Sequence, residues 1–97
     1  MNIELFERII DVAKKYPIKR MGVFGSYSRN DYHEDSDVDL AVELREPMGY
    51  AFFSLWDDLE ASLSKSVDLL VFNSIMADNR GILRENFVNE VFWFYEA

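Results

Sequence analysis

The stretch from Ser36 to Leu44, SDVDLAVEL, alternates between two side-chain sets at every step, and a two-residue period suits a strand and not a helix. Val38, Leu40, Val42 and Leu44 take one face; Asp37, Asp39, Ala41 and Glu43 take the other. Two carboxylates at i and i+2 therefore point to the same side at the mouth of the strand. There they repel each other, in a place where aspartate is poorly suited to extended structure. A placement that costs stability asks for a positive partner. A third acid, Asp68, stands one residue into another apolar run, VDLLVF, from Val67 to Phe72.

The remaining segments supply elements around these acids. Ile3, Phe6, Ile9, Ile10, Ala13 and Tyr16 recur at helical spacing, with Glu4, Glu7, Arg8, Asp11, Lys14 and Lys15 opposite, so a helix over 3–16 is expected to end at Pro17. IKRMGVFG reads as a strand stopping at Gly25, and SYSRNDYHED as a polar connection with room for one helical turn. REPMGY is a turn. Phe52, Leu55, Trp56, Leu59 and Leu63 mark a second helix over 51–63. A third helix is expected from about Ala77 to Val88, with Gly81 as its weak point, before the closing apolar run VFWFYE.

If the three acids meet, the openings of the second and third strands lie side by side. Those strands are then parallel, and the helix between them is the crossover. If the Gly25-Ser26 turn joins them, the end of the first strand adjoins the start of the second, and that pair is antiparallel. The expected fold is α/β (α+β): a mixed sheet of three to four strands with helices packed on it, in one domain over residues 1–97.

A formal net charge of -8 argues against tracking along nucleic acid, since phosphate neutralisation by Lys and Arg supplies most non-specific binding. A basic partner or a metal cation suits this surface better. Cysteine is absent, which removes disulfides, thiolate metal sites and cysteine nucleophiles. No basic leader and no long apolar stretch is seen, so neither a signal peptide nor a membrane span is expected, and a cytoplasmic location fits.

Each acid taken alone reads as an ordinary wet carboxylate; the three together with an upstream Gly-Ser turn read as a metal site. Hard oxygen donors without histidine or thiolate partners suit Mg²⁺ or Mn²⁺. Asp35, Asp37, Asp39 and Glu46 mimic an EF-hand spacing, but Leu40 stands where that loop needs glycine. A Walker loop fails because GVFGSYSR lacks the Gly-Lys-Ser/Thr ending, and a dehalogenase-type phosphatase places its DxD after a strand, not before one. Gly25 lets backbone amides approach a phosphate chain, and Ser26 adds a hydroxyl donor. His33, the sole histidine, reads as a solvated loop residue. Tyr27 and Tyr32 suit either stacking on a base or burial against the sheet.

Gly25-Ser26, Arg29, Ser36-Asp37-Val38-Asp39-Leu40 and the later Asp68 together resemble the minimal nucleotidyltransferases of the DNA polymerase beta superfamily, whose pattern runs GSxxRG, a spacer, SDxDL and a single Asp. The resemblance implies a nucleotidyltransferase fold in which Asp37 and Asp39 bind two Mg²⁺ ions and Asp68 completes one metal site beside the attacking hydroxyl. It further implies that Gly25 and Ser26 hold the terminal phosphates of ATP, with Arg29 and Ser36 as further nucleotide-binding residues. Ser28 and Asn30 depart from the family's small residue and glycine around the arginine, and asparagine is the non-glycine residue that best tolerates a left-handed backbone.

Stand-alone members of this superfamily commonly act as antitoxins beside a helical HEPN-type ribonuclease, transferring AMP from ATP to a tyrosine of that partner. Protein AMPylation of such a partner is therefore the function the resemblance implies. The competing readings are a non-catalytic module that masks its partner, and nucleotidyl transfer to an RNA end or a small molecule. Self-association is compatible with either. In the closing run, Phe92 and Phe94 point one way while Val91, Trp93 and Tyr95 point the other, so both faces need cover, one from the core and the other from a partner or from helices on the far side of the sheet.

Overall fold

The structure, a computed structural model, describes residues 3–25, 27–29, 32–33, 36–76 and 90–97. Elements follow in the order α1 (Ile3–Ala13), β1 (Ile18–Phe24), β2 (Val38–Leu44), α2 (Ala51–Leu63), β3 (Val67–Val71), α3 (Phe72–Met76) and β4 (Phe92–Glu96). The strands form one mixed sheet ordered β3-β2-β1-β4. β2 and β3 are parallel, while β1 runs antiparallel to both β2 and β4. The parallel pair needs a crossover, and α2 is that crossover. It ends at Ser64, which takes a left-handed conformation (φ 53°) and donates its N–H to the Glu60 carbonyl at 2.9 Å.

α1 is shorter than the periodicity suggested. Its last helical residue is Ala13, because the residue before a proline is driven out of helical space and Lys14 to Tyr16 form the turn that feeds β1. The buried stripe is Leu5, Ile9, Val12 and Ala13, with Ile3 exposed. α1 packs on α2, whose Leu55, Leu59 and Leu63 are buried at i, i+4 and i+8. Below them lie Ile18, Met21 and Val23 of β1 and Val38, Leu40 and Val42 of β2, all fully enclosed.

Ala41, expected on the wet face of β2, is also fully buried. β2 is an interior strand, and α3 lies against its other face. β3 ends one residue earlier than expected because the chain turns into α3 at Phe72. Asn73 anchors that turn: its Oδ1 accepts the Leu44 N–H at 3.0 Å, and its amide reaches the Leu44 carbonyl at 3.5 Å. The helix expected over 77–88 lies outside the described residues.

β4 approaches β1 across Gly22. A Cβ there would stand 2.7 Å from Val91 Cγ1 and 2.8 Å from the Phe92 carbonyl oxygen, so the close pairing requires glycine. The register slips between Met21 and Gly22, leaving Phe94 as the extra residue on β4. Both faces of the aromatic run are half-covered from within the chain, and Phe92 remains exposed. Phe6 of α1 stacks on Phe94 at 4.5 Å, and Trp93 meets Phe72 edge-on at 5.3 Å with the Arg20 guanidinium 4.0 Å from its ring. Arg20 in turn pairs with Glu43.

Candidate functional site

Three chain segments converge at one end of the sheet. Phe24, the last residue of β1, pairs with Asp39 of β2, and Asp39 pairs in register with Asp68 of β3. Parallel pairing with matched register sets these two acids beside each other, as the sequence argument required. Asp37 precedes β2 and is exposed, Asp39 is half-buried and Asp68 is exposed.

Asp39 is the centre of the group. Burial pushes its carboxyl above the ordinary aspartate range, and the charges of Asp68 and Asp37, with a hydrogen bond to Asp68, push it further. The Arg29 guanidinium acts in the opposite direction. All of these groups therefore sense the same carboxylate. Arg29 also pairs with Glu90 at 3.6 Å, which ties the site to the segment entering β4.

Gly25 has φ +68°, a left-handed conformation that side-chain-bearing residues rarely adopt. Its second constraint is steric: a Cβ here would stand 2.5 Å from Asp39 Oδ2. The glycine thus shapes the turn and leaves the space that the Asp39 carboxylate uses. The Gly25 carbonyl accepts the Ser28 hydroxyl at 2.9 Å and the Arg29 N–H at 3.2 Å, so Ser28, a departure from the family pattern, helps close the turn. Ser26 and Asn30 lie outside the described residues.

Ser36 closes the connection into β2. Its hydroxyl oxygen accepts the His33 N–H at 3.0 Å, and its own N–H donates to the His33 carbonyl at 2.9 Å. His33 is exposed. Tyr27 is buried in the core and stacks in parallel on Tyr32 at 4.2 Å, so its ring belongs to the scaffold. Burial, aided by Tyr32, raises the Tyr27 phenol above its usual range.

The sequence argument missed two features here. Glu90 carries no motif signal, since its pairing with Arg29 spans 61 positions and exists only in the fold. The steric dependence of Asp39 on Gly25 was equally hidden, although a glycine at a strand end was its one visible sign.

Among the described residues the acids share a neighbourhood without closing into a metal cage. The donor set nevertheless fits a hard divalent cation. It is all oxygen, it concentrates negative charge around a carboxylate whose own ionisation is opposed, and a cation relieves that opposition. Asp37, Asp39 and Asp68 are the residues that would hold it.

Comparison with known proteins agrees with this geometry. A family model described as "Polymerase beta, Nucleotidyltransferase" matches residues 7–90. Protein adenylyltransferase MntA of Thermococcus cleftensis is 37% identical over 92 residues, covering 88% of this chain and 93% of that protein. A crystal structure of a toxin-antitoxin with AMP-PNP superposes with a TM-score of 0.74 at 24% identity, covering 94% of this chain and 73% of that one. A tri-AMPylated Shewanella oneidensis HEPN toxin in complex with its MNT antitoxin gives a TM-score of 0.70 at 21% identity, covering 100% and 74% respectively. Among the described residues no helix is long and apolar enough to cross a membrane.

Proposed function

This chain belongs to the polymerase beta nucleotidyltransferase family, and on that premise we propose that it transfers AMP from ATP to a tyrosine of a HEPN-type partner protein, acting as an antitoxin. The observation that carries the reading is the register of Asp39 with Asp68, with the Asp39 carboxylate seated against Gly25. The MntA relative is named for protein adenylyl transfer, and the Shewanella oneidensis HEPN toxin in complex with MNT antitoxin is AMPylated, which supports a HEPN-type protein as the acceptor; tyrosine is the residue that the family resemblance implies.

In the reaction the acceptor oxygen bonds to the α-phosphorus of ATP, the bond from that phosphorus to the β-phosphate bridge oxygen breaks, pyrophosphate leaves and the phenolic proton passes to solvent. Asp37, Asp39 and Asp68 would hold the Mg²⁺ ions, which when bound would supply charge neutralisation to the transferring phosphate. Asp39 senses the charges of both Asp68 and Asp37, so a cation held by the three acids would relieve the opposition to its ionisation. Asp68 lies exposed on β3, an outer strand of the described sheet, beside Asp39. Gly25, with its left-handed turn, and Ser26 are the residues proposed to hold the terminal phosphates. Arg29 and Ser36 line the connection between Gly25 and Asp37, and the Arg29 guanidinium adds positive charge beside the acids.

The test incubates the chain with ATP, Mg²⁺ and a HEPN-type partner, followed by intact-mass analysis of both proteins. The expected result is whole AMP increments on the partner, located on tyrosine and abolished by EDTA. Suppression of the partner without metal-dependent ATP turnover would instead identify a masking module.

A further inference from the structure

Among the described residues β3, which carries Asp68, is an edge strand, where half of the backbone hydrogen-bonding groups have no neighbouring strand. In the parallel pairing the Ser66 carbonyl accepts the Val38 N–H at 3.0 Å, so the groups of Ser66 face β2. Those of Val67, the residue before Asp68, face outward, because successive residues of a strand point their backbone groups to opposite sides. Both are taken by side chains of α2. Trp56 Nε1 donates to the Val67 carbonyl at 2.8 Å, and Glu60 Oε2 accepts the Val67 N–H at 3.0 Å. Residues four apart lie on one helical face, so Trp56 and Glu60 together offer one donor and one acceptor, the pair that a neighbouring strand would offer. Both contacts are partly buried, which shields them from competing water.

We propose that Trp56 and Glu60 are positioning residues for the third carboxylate: they hold the Val67 backbone so that Asp68 stays in register with Asp39 and the acids meet the cation as one set. The inference rests on the proposed role of Asp68 as a metal ligand. Among the described residues neither side chain hydrogen-bonds to the acids themselves; both bond the Val67 backbone. Val67 is held on its outer side by α2 and lies beside Val38 on its inner side, which leaves the base of Asp68 little freedom to shift.

The experiment uses the full chain and compares Glu60→Ala, Glu60→Gln and Trp56→Phe with Asp68→Ala. Amide exchange of the metal-free protein reports on Val67 and Asp68, and Mn²⁺ affinity is read from water-proton relaxation. Adenylyl transfer supplies kcat and the KM for ATP. Loss of a group bonded directly to a metal ligand costs about 10–100-fold in metal affinity; Trp56 and Glu60 act one residue removed, on the Val67 backbone, so the lower end of that range is expected. Glu60→Ala is therefore expected to speed exchange at Val67, to weaken Mn²⁺ binding by up to about 10-fold and to lower kcat with little change in the KM for ATP. Trp56→Phe, which keeps a smaller aromatic ring and loses the donor, should shift all three readouts in the same direction.

Glu60→Gln keeps an acceptor oxygen and should restore Mn²⁺ affinity to near the wild-type value. If Gln weakens binding as much as Ala does, the charge of Glu60 and not its hydrogen bond is responsible, and the proposal is overturned. It is equally overturned if Asp68→Ala abolishes Mn²⁺ binding while Glu60→Ala and Trp56→Phe leave it intact. If Asp68→Ala itself leaves Mn²⁺ binding and transfer unchanged, the proposed metal role of Asp68 has failed, independently of the clamp.

Discussion

β3 and β4 are both five-residue strands on opposite edges of the sheet, and they use their side chains in different ways. β3 alternates cleanly: Val67 and Leu69 are buried, Asp68 and Leu70 are exposed. β4 has no fully buried residue. Its aromatic rings are half-covered on both faces, by Phe6 on one and by Phe72 and Arg20 on the other. The backbone of β3 is held by α2 and β2, so one of its outward side chains is free for chemistry. β4 is held by its ladder to β1 and by aromatic side chains on both of its faces, and its side chains stand away from the acids. Damage at β3 should therefore remove activity and spare stability, while damage at β4 should do the reverse.

The largest expected effect is on the β3 side. Asp68→Asn removes a proposed metal ligand and is expected to lower adenylyl transfer by at least about 100-fold, since losing even an outer-shell partner costs up to that much. Its thermal midpoint should remain close to wild type. A variant that unfolds instead would show that Asp68 supports the edge strand, and the contrast with β4 would break.

Next comes Gly22→Ala, which forces a methyl group against Val91 and the Phe92 carbonyl. Overpacking of this kind costs about 1–3 kcal/mol. Denaturant unfolding measures the total, and amide exchange should show β4 released before β2 and β3. Trp93→Ala should cost about 2 kcal/mol, below the range for a fully buried tryptophan because this one is only partly covered. Arg20 loses the nearer of its two aromatic platforms in this variant, keeping Phe72, while metal-dependent transfer persists. Loss of partner binding by a folded Trp93→Ala protein would move this face from scaffold to interface.

The smallest effect is a pH-dependent change in stability from Asp39→Asn. The folded state raises the Asp39 carboxyl above its ordinary value, so protonated Asp39 favours folding. That contribution is fully present below the unfolded value, about 3.9, and is lost as pH rises through the raised folded value. Metal-free Asp39→Asn is therefore expected to melt slightly higher than wild type at neutral pH and to lose that advantage in acid. Thermal melts at several pH values, in EDTA, measure it. A destabilised Asn variant at neutral pH would mean that Arg29 outweighs the neighbouring acids.

Much of this arrangement was legible in the residues. The alternation in SDVDLAVEL identified β2, and the bounds of α2 follow from its apolar spacing alone. Three acids at strand openings, taken with the rule that a parallel pair needs a crossover, implied the order of β1, β2 and β3. Less was legible where a residue's role depends on what lies opposite it. Ala41 looks like part of a wet face until α3 is known to lie against β2. Phe72 reads as the end of a strand until Asn73 is seen holding Leu44.

The local pattern by itself determined which segments extend, which coil and which residue types can gather a divalent cation, because side-chain period and donor chemistry are properties of neighbouring residues. Tertiary structure alone decided that Gly25 must lack a side chain for Asp39 to occupy its place, and that Arg29 and Glu90 meet. It also decided that two side chains of α2 stand in for a missing strand beside Asp68. Each of these joins groups far apart in the chain, and their spacing is set by the closure of the sheet and the packing of helices upon it.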